Sequence, residues 1–202
     1  MSTPTPTTTP PTSPLERTPF IVLLHNIRSC HNVGSILRTM DGFGVITAIF
    51  SGYTPRYDDP SLLPHLREKL NRQIEKTALG AEKYLTLKTS ENIAKTLDDL
   101  HAKNYTILGL ENNLSDPRKI ELNPANLSQI SYALHSRQNS PKSTPLKLAL
   151  LLGEEVAGID QNLYKHVDYF LEIPMKGKKE SFNVSIATAI ALFCLRNLEK
   201  IS

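Results

Sequence analysis

Residues 20–50 read FIVLLHNIRSCHNVGSILRTMDGFGVITAIF. Residues 20–24 form a continuous apolar run, which suits a strand covered on both faces rather than one with a wet side. Val33, Ile36, Leu37 and Met40 then recur at i, i+3, i+4 and i+7, an apolar stripe that predicts a helix over residues 32–43 with Asn32 as its N-cap. Residues 46–50 follow as a second apolar strand. A strand, a helix and a strand in this order make the repeating unit of a parallel sheet.

The rhythm continues outward from that unit. A helix over residues 90–103, with Ile93, Leu97 and Leu100 on one stripe, leads into a buried strand at 105–110. Further strands are predicted at 148–152 and 169–173, and a long helix at 183–198. That last helix is apolar nearly all round, so it belongs in the core or in a subunit interface. Between these elements, residues 51–88 are punctuated by Pro55, Pro60 and Pro64 and read as surface loops and short helices. Residues 131–147 carry Arg137, Lys142 and Lys147 without an acid and read as a mobile basic loop. The expected fold class is α/β, one domain over residues 20–202 with a largely parallel sheet. Residues 1–19, with six prolines and seven threonines, read as a disordered tail.

Composition limits the function classes. The 202 residues are 40% hydrophobic and 21% charged, a globular balance. The net charge of +3 is too small an excess to establish a polyanionic partner by itself. Only two cysteines occur, Cys30 and Cys194, which excludes a disulfide scaffold and the usual structural zinc patterns and suits a reducing, cytoplasmic setting. Neither a signal sequence nor an apolar run long enough to span a membrane is present. There is no G-x-G-x-x-G after a strand. Gly153 and Gly158 have phosphate-loop spacing, but Ile159 and Asp160 stand where that loop needs Lys and Ser or Thr. H-E-x-x-H and G-x-S-x-G are also missing, so zinc hydrolysis and the nucleophile elbow have no support.

Three polar, glycine-punctuated segments remain, each beside a buried strand, where open α/β sheets place their ligands. They are Asn26 to Thr39, Leu152 to Ile159 (LGEEVAGI), and Ile173 to Ser185 (IPMKGKKESFNVS). Each has an ordinary structural reading as well. Asn32 and Ser181 are good helix caps, Arg38 could sit in a surface ion pair, and Glu155 could cap a neighbouring helix or pair with Arg38. Lys176, Lys178 and Lys179 form either a solvated turn or a phosphate contact.

Taken together and in this order, the three segments resemble the SpoU or TrmH family of SPOUT methyltransferases. The family patterns N-x-G-x-I-x-R-T, G-x-E-x-x-G and I-P-M-x-G followed by S-L-N-V-S are all met, with Phe182 in place of the usual leucine. The resemblance covers residues 20 to 198. It implies a C-terminal deep trefoil knot, which periodicity cannot reach because knots are nearly absent elsewhere. It further implies methyl transfer from S-adenosylmethionine to a ribose 2′-hydroxyl of tRNA or rRNA, without a metal, in a homodimer.

The implied catalytic set is Asn32, Arg38, Glu155, Ser181 and Asn183. The implied cofactor set is Leu110, Leu152, Gly153, Ile173, Met175, Ser181 and Phe182, and RNA contacts fall to Arg28, Arg38, Lys176, Lys178 and Lys179. A guanidinium is effectively never deprotonated, so Arg38 suits orientation of the ribose and phosphate and stabilisation of a developing alkoxide. Glu155 or a phosphate oxygen is then the proton acceptor. Several family members carry a separate N-terminal RNA-binding domain; here only the Pro/Thr-rich segment precedes the first motif, so recognition is expected from the catalytic domain, its basic loops or a dimer partner. The rival reading is a non-catalytic RNA-binding or ribosome-assembly protein that keeps the knotted fold, against which the joint presence of the five catalytic residues argues.

Overall fold

The computed structural model describes residues 19–112, 114–139, 141 and 145–198. The segment expected as a tail lies outside these up to residue 18, as does Lys142. Pro19 already meets the sheet, its carbonyl accepting from the Leu148 N–H at 3.1 Å.

Seven strands form one sheet: β1 (Phe20–His25), β2 (Thr47–Ser51), β3 (Thr86–Ser90), β4 (Thr106–Leu110), β5 (Lys119–Glu121), β6 (Leu148–Leu152) and β7 (Tyr169–Glu172). Their spatial order is β3-β2-β1-β6-β4-β7-β5, and every pairing is parallel. The unbroken apolar runs now have their cause, because alternate residues of the central strands feed two cores on opposite faces. Val22, Leu24, Leu150 and Leu152 face a core that also takes the stripe of α1 (Cys30–Gly42). Leu23, Ala149 and Leu151 face the other, covered by α3 (Ile93–Ala102).

Several expectations need correction. Residues 64–78 form a 15-residue helix, α2 (Pro64–Ala78), in which Pro64 starts the helix instead of breaking it. Its buried side chains, Ile74 and Ala78, lie one turn apart. Gly34 of α1 faces this stretch so closely that a Cβ there would stand 2.2 Å from both the Ile74 carbonyl and Thr77 Oγ1. The Thr77 hydroxyl donates to the His31 carbonyl at 2.9 Å, tying α2 to the first turn of α1. The glycine of the first motif is thus required by helix–helix contact.

The expected basic loop is half wrong as well. Residues 127–137 form α4 (Leu127–Arg137), anchored by buried Ile130 and Leu134. Arg137 pairs with Asp168 at 2.9 Å and Lys147 Nζ donates to the Lys103 carbonyl at 3.2 Å. The final helix, α5 (Val184–Arg196), buries Ala191, Leu192 and Leu195 but leaves Ile186 and Phe193 more than half exposed, so the described residues leave part of an apolar face uncovered.

Candidate active site

All three motifs converge at the carboxyl ends of the central strands, the end at which open α/β sheets bind ligands. The turn after β1 leads into α1, the loop after β6 is Gly153–Gly158, and the segment after β7 runs to α5. A cavity of about 340 Å³ opens between them, lined by Leu110, Ile173 and Phe182 on its apolar side and by Glu111, Glu154 and Glu155 among its polar groups.

The glycines of the second motif build the cavity wall. Glu154 and Gly158 exchange backbone hydrogen bonds of 2.9 Å in each direction, closing a tight loop. A Cβ on Gly153 would stand 2.3 Å from the Gly158 carbonyl carbon, and Gly158 itself has φ +71°, with a built Cβ 2.1 Å from Glu111 Oε2. Gly153 therefore makes room for protein backbone. Glu111, directly after β4, holds the far side of the loop by accepting from the Ile159 N–H at 2.9 Å.

Glu155 is the hub of the polar network. Its carboxylate accepts from the Arg28 N–H at 3.1 Å, the Ser29 N–H at 3.2 Å and Asn32 Nδ2 at 3.1 Å. Burial pushes its pKa up, but these donors outweigh burial and hold the carboxyl below its ordinary value, so it is ionised at neutral pH. Asn32 is not the N-cap of α1; Ser29 is, accepting from the Asn32 N–H at 3.3 Å. Freed from capping, the Asn32 amide spans two motifs: it donates to Glu155, and its Oδ1 accepts from Asn183 Nδ2 at 3.1 Å. Asn183 caps α5 by accepting from the Ser185 N–H at 2.9 Å. One continuous chain of hydrogen bonds thus joins Glu155, Asn32 and Asn183.

Of the residues singled out from sequence, Leu110, Gly153, Glu155, Ile173, Ser181, Phe182 and Asn183 line the cavity, and Asn32 adjoins it through its bonds to Glu155 and Asn183. Leu152 is wholly buried in the core, and Met175 does not reach the lining. Arg38 is exposed on α1, is not among the residues that line the cavity, and makes no hydrogen bond or ion pair among the described residues. Lys176, Lys178 and Lys179 are exposed and likewise unpaired among the described residues.

Glu154, at the variable position of the second motif, is bound to Arg28 at 2.5 Å with its side chain 16% exposed. Sequence reasoning missed Glu111 and Asn112. The Asn112 amide donates to the carbonyls of Ile173 at 3.0 Å and Glu180 at 3.3 Å, while its Oδ1 accepts from the Ile173 N–H at 3.2 Å. The available signal was a polar pair directly after a buried strand at the ligand-binding end of the sheet.

Fold and cavity define an α/β protein with an open cavity at the carboxyl ends of a parallel sheet. Residues 19–193 match the SpoU rRNA Methylase family, and the chain belongs to that family. It is 31% identical over 175 residues to the 23S rRNA (guanosine-2′-O-)-methyltransferase RlmB of Pectobacterium atrosepticum, an alignment that covers 87% of this chain and 58% of that protein. The chain therefore spans little more than half the length of that relative. Among solved structures, the TrmH/SpoU tRNA modifying enzyme of A. aeolicus superposes with a TM-score of 0.66 at 19% identity, covering 92% of this chain and 77% of that one. The SpoU methyltransferase AviRb of Streptomyces viridochromogenes, in complex with AdoMet, gives 0.67 at 21%, covering 92% and 63%. These likenesses confirm the fold class.

Proposed function

We propose that this chain is an RNA methyltransferase that transfers a methyl group from S-adenosylmethionine to a ribose 2′-hydroxyl of tRNA or rRNA. The observation that carries this reading is the joining of all three motifs through Glu155, Asn32 and Asn183 at one cavity. The cavity suits that cofactor in size and charge. Among the described residues its ionisable lining is carboxylate, with Glu154 paired to Arg28 and Glu111 and Glu155 without a cationic partner, which favours a cationic sulfonium ligand and disfavours a nucleoside polyphosphate. The fold is proposed to carry a C-terminal trefoil knot, supported by the return of residues 173–183 across Asn112 to reach Asn32.

S-adenosylmethionine, when bound, supplies an electrophilic methyl group on sulfur. Leu110, Ile173 and Phe182 would hold its apolar parts, and the carboxylates would favour its positive charge. Ser181 and Asn183 stand at the mouth, where the ribose must arrive. Arg38, exposed and unpaired among the described residues, is assigned to the RNA phosphate and to the alkoxide that forms as the hydroxyl loses its proton. The donors around Glu155 lower its proton affinity, so its assigned role is to hold Asn32 and the turn of residues 28–32 in place, with the proton passing to a phosphate oxygen of the substrate. Proximity and alignment supply most of the acceleration. Lys176, Lys178 and Lys179 are assigned to phosphates near the mouth.

The same reading makes the protein a homodimer. Phe182, Ile186 and Phe193 are exposed apolar groups on or beside α5, at the cavity mouth and along one helix face, and a second copy would cover them. Transfer of labelled methyl to unmodified RNA, with nucleoside analysis of the product, tests the activity, and sedimentation tests the dimer. Cofactor binding without transfer to any RNA, or a methylated base in place of a methylated ribose, would contradict the proposed reaction.

A further inference from the structure

Beside the cavity, the turn after β2 carries an aromatic ring with no part in either core. Tyr53 is 50% exposed. Its backbone is nevertheless firmly held. The Tyr53 N–H donates to Asn26 Oδ1 at 3.4 Å, and the Asn26 N–H donates to the Ser51 carbonyl at 3.3 Å. Thr54 adds two bonds, donating from its hydroxyl to the Leu24 carbonyl at 3.0 Å and accepting from the Ile27 N–H at 3.1 Å. Asn26 adopts the left-handed φ of 59°, and the approach is so close that a Cβ on Gly52 would lie 1.8 Å from Asn26 Oδ1. A turn stitched this tightly to the preceding strand presents an exposed ring at a fixed place.

The Arg28 guanidinium lies over that ring, its Cζ 5.7 Å from the centroid. Arg28 is itself 68% exposed and paired at 2.5 Å to Glu154, which lines the cavity. Arg28 also hydrogen-bonds the Tyr53 side chain, so ring, guanidinium and carboxylate are joined in sequence from the exposed turn to the cavity lining. Because Glu154 neutralises Arg28 locally, this patch offers flat π surface more than net charge. Flat surface of this kind is what single-stranded RNA uses for its unstacked bases.

We propose that Tyr53 and Arg28 form a stacking platform for a nucleobase of the RNA that flanks the nucleotide entering the cavity. The proposal rests on the RNA methyltransferase reading, and it assigns to Tyr53 a positioning role towards the substrate that none of the three motifs contains. Stacking tolerates any base, so the platform fixes the path of the strand without reading its sequence.

The test is binding of a fluorescein-labelled single-stranded RNA of random sequence, and of an abasic strand with the same backbone, to the full chain and its variants. Tyr53→Ala should weaken binding of the base-bearing strand by about tenfold and leave the abasic strand unchanged. Tyr53→Phe, which keeps the ring and loses the hydroxyl beside Arg28, should bind the abasic strand as the parent does and the base-bearing strand clearly better than Tyr53→Ala does. Arg28→Lys, which keeps the charge and loses the plane, should fall between parent and Tyr53→Ala on the base-bearing strand. Melting temperature and S-adenosylmethionine binding should be the same in parent and Tyr53 variants. Equal affinity of Tyr53→Ala and parent for the base-bearing strand, or equal weakening on both strands, would overturn the platform. If the parent failed to bind S-adenosylmethionine while the base-dependent effect of Tyr53 persisted, the methyltransferase reading would fall and the platform would stand.

Discussion

Two carboxylates sit at opposite ends of the same sheet and do different work. At the amino end, Asp168 accepts from the Ile107 N–H at 2.8 Å, from His101 Nε2 at 3.0 Å and from Arg137 Nε at 2.9 Å, fastening α3 and α4 to β4. At the carboxyl end, Glu155 also has three donors, but it adjoins a cavity and its network continues through Asn32 to Asn183. Three donors on a carboxylate therefore say nothing about function by themselves. What separates the two is what lies beyond the network: packed helices in one case and an open, acid-lined cavity in the other. The basic residues follow the same division, since Arg137 is committed to Asp168 while Arg38 and the lysines of the third motif stay unpaired among the described residues.

On this contrast, changes at the carboxyl end should cost activity, with or without stability, and changes at the amino end should cost stability alone. The largest effect is expected from Arg38→Ala, which should slow methyl transfer by about 10²–10³-fold while melting temperature and calorimetric cofactor affinity stay put. Near-normal turnover would remove Arg38 from the mechanism. Asp168→Ala should lower stability by about 3 kcal/mol in urea unfolding, because it strips a charged acceptor from three donors, and should leave transfer per folded molecule unchanged. A loss of turnover without a loss of stability would break the division.

Gly158→Ala sharpens it from the side of the cavity wall. A Cβ at φ +71°, pressed against Glu111, should cost about 1–2 kcal/mol of local strain and raise the S-adenosylmethionine dissociation constant roughly tenfold. Glu155→Gln should cost about 1–2 kcal/mol at neutral pH and lower turnover through the misplaced Asn32. Its pH dependence has a definite sign. The folded carboxyl titrates below its ordinary value of 4.5, so its contribution is fully present above that value and is lost as the pH falls through the lower folded value. Urea midpoints of parent and variant should therefore converge on acidification. The smallest effects belong to Lys178→Ala and Lys179→Ala. Each should leave turnover at saturating RNA intact and flatten the salt dependence of RNA binding by about one unit of log–log slope.

Much of this is legible in the sequence itself. Unbroken apolar runs such as residues 20–24 and 148–152 announced strands covered on both faces, and the stripe Val33, Ile36, Leu37 and Met40 announced α1. The misses share physical causes. Strands β3 and β5 lie at the sheet edges, where exposed, polar positions leave no continuous apolar signal. Helix α2 hid behind Pro64, and α4 hid behind serines, although Ile130 and Leu134 at i and i+4 marked its buried side.

The site was legible through its motifs but not through its contacts. Asn32 reads as a cap because Asn before an apolar stripe usually is one; only the approach of residues 155 and 183, more than a hundred positions away, shows that its amide is used elsewhere. Glu111 and Asn112 carry no motif signal and owe their place to where β4 ends. Tyr53 is likewise invisible to pattern, since its importance lies in a neighbour 25 positions earlier in the chain.

The most direct test of the central claim is transfer of labelled methyl from S-adenosylmethionine to unmodified tRNA and rRNA by the intact chain and by Arg38→Ala, with nucleoside analysis of the product. Label in a 2′-O-methylnucleoside with the parent, and almost none with the variant despite intact cofactor binding, is the predicted result. Label in a methylated base, or no binding of S-adenosylmethionine by the parent chain, would contradict it.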